Sequence, residues 1–168
     1  GSVFIGNGTG LLTMTNPADV LTAGTVDFSG GDETGRLTAG TIQTQSLFQG
    51  SAGGQHPASF FAGGNHRVVL GGPSSSVVTF ANPATSRFQQ LDVSGVSATL
   101  TLGSNVTVAG QLVAVLPTGS GPVVNGAGFT LTAGGADIGA TGGNTALTFD
   151  GVPLVLSGGA ITGVSHLT

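Results

Sequence analysis

Apolar and polar residues alternate along most of this chain with a period of two, and the alternation comes in short bursts. Residues 91–93, 99–102, 106–108, 112–115 and 129–132 each set large apolar side chains against small or polar ones. That is the spacing of a strand with one buried face. Between the bursts stand Ser94-Gly95, Gly103-Ser104-Asn105, Ala109-Gly110, Pro117 with Thr118-Gly119-Ser120-Gly121-Pro122, and Asn125-Gly126, residue types that turn a chain for identifiable steric reasons. No window in this stretch supports a helix of ordinary length.

The same pattern extends to both sides. Residues 3–5 and 11–15 flank the turn Gly6-Asn7-Gly8-Thr9-Gly10, and Asn16-Pro17 breaks the run. Leu21-Thr22-Ala23-Gly24-Thr25 returns 16 residues later as Leu37-Thr38-Ala39-Gly40-Thr41, and Leu131-Thr132-Ala133-Gly134-Gly135 repeats its start. Residues 46–61 loosen the pattern, with Gly50, Gly53-Gly54, His56 and Pro57, and are expected to leave the regular path. Strands resume at 68–70 and 77–80, then at 146–149 before an Asp150-Gly151 turn, and the series continues through 154–156, Ile161 and Val164.

A short cassette of strands and glycine corners that keeps returning is the mark of a solenoid. A hairpin-built sandwich is the competing all-β arrangement, and the repeat favours stacking in a column. The expected fold is therefore all-β, a right-handed parallel β-helix, with residues 1–168 as a single β-solenoid domain. At roughly 18 to 24 residues per coil it would make about seven to nine coils, or a column about 35 to 45 Å long at the spacing of neighbouring strands. Phe28, Phe48, Phe80, Phe88, Phe129 and Phe149 are expected to fill its interior.

The order His66-Arg67-Val68-Val69-Leu70-Gly71-Gly72, Val77-Val78-Thr79-Phe80, Phe88-Gln89-Gln90-Leu91-Asp92-Val93-Ser94 and residues 100–110 resembles the repeats of large bacterial surface proteins, autotransporter passengers and filamentous-haemagglutinin-type adhesins. The likeness covers residues 63–131, with weaker echoes on both sides. It implies an exported, elongated, non-enzymatic element at the cell surface or in an extracellular fibre, and it carries no catalytic residues to transfer. The start at Gly1-Ser2 without a basic leader, and the strand-like residues 165–168, fit an excerpt or processed subunit of a longer surface protein.

Composition narrows the function classes. Only 6% of the 168 residues are charged, lysine is absent, and the net charge is −4. With Arg36, Arg67 and Arg87 as the only strong cations, scattered along the sequence, nucleic acid is not an expected partner. The chain has no cysteine, so disulfides and thiolate metal sites are excluded, in keeping with export. No apolar run reaches the roughly 20 residues of a spanning helix, so this segment is not expected to insert in a membrane.

Few side chains offer chemistry. His56, His66 and His166 are too far apart for a short metal motif and read as surface or turn residues. Asp32-Glu33, within Gly30-Gly31-Asp32-Glu33-Thr34-Gly35, faintly matches a calcium-binding β-roll turn but lacks its nine-residue repeat, so a solvated turn is expected. A glycosidase would need two of Asp19, Asp27, Asp32, Glu33, Asp92, Asp137 and Asp150 to converge. A lyase on acidic polysaccharide would need a base and a cation.

No Gly-x-Ser-x-Gly elbow occurs, and Gly6-Asn7-Gly8-Thr9-Gly10 precedes no helix that could cradle phosphate. Asn7-Gly8-Thr9 and Asn105-Val106-Thr107 match the glycosylation triplet but serve equally as turns. The pairs Thr13/Thr15, Thr99/Thr101 and Thr130/Thr132 would suit an ice-binding hydroxyl array only if stacked together.

The expectation is a structural and adhesive module that is not an enzyme and uses no catalytic, cofactor or metal residues. Its partners would be copies or neighbouring repeats of itself, meeting through unpaired β-edges, and a surface glycan or other host ligand. The alternatives are a polysaccharide-active enzyme on the same scaffold and an ice-binding solenoid.

Overall fold

The computed structural model describes residues 1–6, 8–50, 55–116, 121–126, 128–140, 147–158 and 161–162. Among these residues thirteen strands join one hydrogen-bonded sheet, and every pairing is parallel. They are β1 (Ser2–Ile5), β2 (Val20–Phe28), β3 (Thr41–Gln49), β4 (Arg67–Gly72), β5 (Ser76–Phe80), β6 (Gln90–Val96), β7 (Thr99–Leu102), β8 (Val106–Leu116), β9 (Val123–Asn125), β10 (Leu131–Ala140), β11 (Thr148–Asp150), β12 (Leu154–Leu156) and β13 (Ile161–Thr162). The chain forms the parallel β-helix expected from its pattern, with about six turns.

Register divides the column into three ladders. The first stacks Met14, Leu37, Ala62, Phe88, Val108, Ala133 and Leu156, one above the other, through isolated bridges at one end and the β8, β10 and β12 pairings at the other. The second stacks Leu21, Ile42, Val68, Leu91, Leu112, Ala136 and Ile161. The third runs from Val3 through Val26, Leu47, Val78 and Leu102, with Leu100, Val124 and Phe149 continuing it. Long strands serve two ladders: β2 and β3 cross from the second to the third, β8 and β10 from the first to the second.

Steps along the second ladder are 21, 26, 23, 21, 24 and 25 residues. This pitch corrects two expectations. The coils are longer than anticipated, hence fewer, and six steps span about 29 Å. The 16-residue cassette is also not the structural repeat: Leu21 lies in the second ladder, Leu37 in the first, and Leu131 pairs with Val106 two residues ahead of the Leu37 column. What repeats is the inward and outward alternation, not a sequence word.

The corners explain where glycine is needed. Ala109-Gly110 was expected to turn between two strands, but β8 runs straight through it and merely bends between ladders. At the rung above, a methyl group on Gly134 would collide with the carbonyl oxygen of Ala109 and stand 2.8 Å from that of Gly110. Tight corners stack backbone on backbone and exclude any Cβ. The wider corner between Leu37 and Ile42 instead uses Gly40 at φ 77°, with the Asp19 carbonyl 2.8 Å from where a Cβ would stand.

The interior is aliphatic, with one aromatic cluster. Phe60 is fully buried and lies 5.0, 5.6 and 5.0 Å, centre to centre, from the rings of Phe28, Phe80 and Phe88. It comes from the irregular stretch 46–61, whose tail plugs the column while Gln49 Nε2 donates to Ser59 Oγ (3.0 Å) and Ser59 Oγ donates to the Phe28 carbonyl (3.0 Å). Phe28, Phe80 and Phe88 are core as expected. Phe48 is not: strict alternation in Leu47-Phe48-Gln49 turns Leu47 and Gln49 inward and leaves Phe48 half-buried. Phe129 is 37% exposed because it precedes β10 in a turn, and Phe149 only borders the core.

Candidate functional site

Whatever this column does, it does with the side chains its ladders turn outward, and charge is not spread evenly among them. In the third ladder the outward rows include Asp27, between Phe4 and Phe48, and Asp150, above Asn125 and Thr101, with no cation. The second carries Arg67, Asp92 and Asp137. Outward residues of the first ladder are Thr13, Arg36, Phe61, Arg87, Thr107, Thr132 and Val155, in rung order, and none is acidic.

Two of the three arginines are thus neighbours but one, with a phenylalanine between. The guanidinium carbon of Arg87 sits 3.9 Å from the Phe61 ring centre, and its Nε donates to the Ala62 carbonyl at 3.3 Å. That is a cation–π contact, and it leaves the half-buried Arg87 with Nη groups beyond the Nε bond to Ala62. Arg36 Nη1 donates to Thr13 Oγ1 at 3.3 Å. Scattered along the sequence, positions 36, 61 and 87 are one coil apart each, and only the pitch brings them together. Arg67 differs, being paired with Asp92, whose other oxygen accepts from the Ser94 amide at 2.8 Å.

Next to Arg87 the face is hollowed. Pro83, Ala84, Asn105, Val106, Thr107, Thr130 and Thr132 line a depression of about 300 Å³, and Asn105 Oδ1 accepts from the Thr130 amide at 2.9 Å. A second groove of about 400 Å³ runs over the second ladder past Thr22, Gln43, Gln45, Val69 and Gly71. Thr22 Oγ1 donates to Gln43 Oε1 there at 3.2 Å.

The acidic residues are distributed over several parts of the column. Asp27 and Asp92 lie on different ladders, and Asp92 is held by Arg67 and Ser94. Asp137 shares the Asp92 column with Val113 between them. Asp19 Oδ2 accepts from the Thr15 and Asn16 amides. Asp32 caps the Thr34 amide (2.8 Å), and hydrogen bonds from Thr34 hold its carboxyl below the usual range.

Glu33 departs from the solvated turn expected of it. Its side chain is fully buried, Oε1 accepts from the Leu12 amide at 2.7 Å, and Oε2 has no partner. Burial pushes its pKa up to about 7, against the lowering pull of the Leu12 amide and Arg36. His66 is likewise no surface histidine. It lies at the corner between the first and second ladders, fully buried with both ring nitrogens unpartnered, and desolvation pushes it down to about 4. His56 is exposed, its Nδ1 accepting from the Ala58 amide, and His166 lies outside the described residues.

No group of three or more potential metal ligands occurs among the described residues. Asn7 of one glycosylation triplet is outside them too, and Asn105 of the other is exposed. The threonine pairs fall apart: Thr13/Thr15 and Thr130/Thr132 flank opposite ends of the first ladder with Arg36, Phe61 and Arg87 between, and Thr99/Thr101 belongs to the third. No protein-family model matches the chain, and no curated protein or solved structure was found similar to it.

Proposed function

We propose that this chain is a structural and adhesive module of an exported bacterial surface protein or extracellular fibre, related in kind to the passenger and filamentous-haemagglutinin-type repeats its sequence resembles. The observation that carries the reading is the column itself: about six parallel turns with an aliphatic interior and broad, little-charged outer faces. A parallel coil satisfies its backbone only through the coils above and below it. Stiffness and a regular display surface follow from that stacking rather than from any one side chain.

Association would use the outermost strands. Among the described residues, β1 pairs with β2 alone, and β11, β12 and β13 each have one ladder neighbour. Such edges template further pairing, either with more coils of a longer chain or with another copy. Phe4, 53% exposed, and Val155, 45% exposed, stand on β1 and β12. Light scattering with electron microscopy of the purified chain tests this: elongated species that grow with concentration are expected, and a monomer at all concentrations would refute stacking between copies.

A further inference from the structure

We propose that the outward face of the first ladder binds an anionic saccharide chain, one bearing uronate or sulfate groups, laid along the column from the hollow at Thr132 past Arg87 to Arg36. This builds on the adhesive half of the reading above and does not depend on self-association. Three independent observations converge on it.

The first is the segregation of charge. The chain has seven acidic residues and a net charge of −4, yet this ladder turns out two arginines and no carboxylate along its strand positions. Asp32 and Glu33 lie near Arg36 at the preceding corner. Asp32, exposed and held ionised by Thr34, offsets the Arg36 guanidinium in part, while Glu33 is shut inside with its pKa raised, so Arg87 is the principal cation of this face.

The second is the presentation of those cations. Arg87 is held over the Phe61 ring and tied through Nε to the Ala62 carbonyl, two contacts that restrict its guanidinium and leave the Nη groups to serve as a fork. A planar fork of this kind suits a carboxylate or sulfate edge. Arg36 is two rungs away, about 10 Å along the axis. An extended saccharide with an acidic group on alternate rings presents charges at a comparable interval.

The third is the hollow beside Arg87. It is lined by three threonines, Thr107, Thr130 and Thr132, with Asn105, and by the apolar residues Pro83, Ala84 and Val106. A lining that mixes hydroxyl and amide groups with apolar surface matches a sugar ring, which is polar at its rim and apolar on its faces. The whole strip from Thr132 to Arg36 spans four rungs, about 19 Å, the length of a short oligosaccharide.

Calorimetry or affinity electrophoresis of the purified chain against polygalacturonate, heparin, neutral dextran and duplex DNA tests the inference. Retention by either acidic polysaccharide, weakened by salt and absent with dextran, is expected. Arg36→Gln with Arg87→Gln should weaken it by about tenfold per arginine, while circular dichroism verifies that the fold persists. Thr107→Val, which leaves both charges, should weaken it less. Failure to bind either acidic polymer, equal binding of dextran or of DNA, or unchanged binding by the double variant would overturn the inference. A chain that binds acidic polysaccharide yet stays monomeric would refute stacking and leave this inference standing.

Discussion

The Leu12 backbone amide donates to Oε1 of Glu33 at 2.7 Å, which ties a loop ahead of the first full coil to a carboxyl with no solvent exposure. Because the second oxygen of Glu33 is unpartnered, the protonated form is favoured inside. Its folded pKa, near 7, lies above the ordinary 4.5. The folded state therefore holds a proton that the unfolded chain has released, and this contribution to stability is lost as pH rises from about 4.5 to 7. His66 acts in the opposite sense. Its folded value, about 4, lies below 6.5, so its contribution is lost as pH falls from about 6.5 to 4.

Wild-type stability should accordingly vary little between pH 4.5 and 6.5, where the two oppose each other. Glu33→Gln, which retains an acceptor for Leu12, should leave a protein whose stability rises with pH across that range. His66→Leu should leave one whose stability falls. Each slope should amount to about 1 to 3 kcal/mol over the window. Thermal melts at half-unit pH intervals measure both, and parallel curves for the two variants would contradict the assignment.

Phe60 is the aromatic hinge of the core, in ring contact with Phe28, Phe80 and Phe88. Phe60→Ala should cost about 3 to 5 kcal/mol, whereas Phe129→Ala, at a residue 37% exposed, should cost less than about 1.5 kcal/mol. Urea denaturation of the two variants compares them directly. Equal losses would mean that residues 55–61 do not plug the column.

At the tight corner, Gly134→Ala places a methyl against the backbone of the coil below, and a loss of about 1 to 3 kcal/mol is expected. Gly63→Ala meets nothing within 4 Å and should change stability by less than about 0.5 kcal/mol. The same denaturation series decides it: a neutral Gly134→Ala would show that backbones do not stack there.

Much of this fold is written in local alternation. Residues 99–102 and 154–156 form strands at the expected bounds, and Val77 to Phe80 lies within β5, because each segment needs only its own inward and outward pattern. The pitch is not local. The Leu-Thr-Ala-Gly word returns after 16 residues, short of any full coil, because threonine, alanine and glycine suit strand edges and corners alike, and it recurs at three different places in the coil. Without the pitch, Arg36, Phe61 and Arg87 could not be seen as neighbours.

Burial of individual polar residues was equally hidden. His66 and Glu33 sit among glycines and small polar residues, which read as exposed turn. In the structure both side chains turn inside, Glu33 toward the Leu12 amide and His66 at the corner between the first and second ladders. Phe48 misses its expected place for a related reason: the inward alternation that starts at Ile42 and Thr44 shifts by one residue at Gln45-Ser46, where β3 passes from the second ladder to the third, so Leu47 and Gln49 turn inward and Phe48 does not.

Absence of native cysteine allows a direct test of the stacked register. Thr22 and Gln43 are paired across adjacent coils, and their side chains meet at 3.2 Å. Disulfide formation needs Cα atoms within about 7 Å, so Thr22→Cys with Gln43→Cys should oxidise to an intramolecular bond in the folded protein. Thr22→Cys with Thr38→Cys, matched by the 16-residue cassette, should remain reduced. Cross-linking of the second pair and not the first would contradict the parallel three-ladder column.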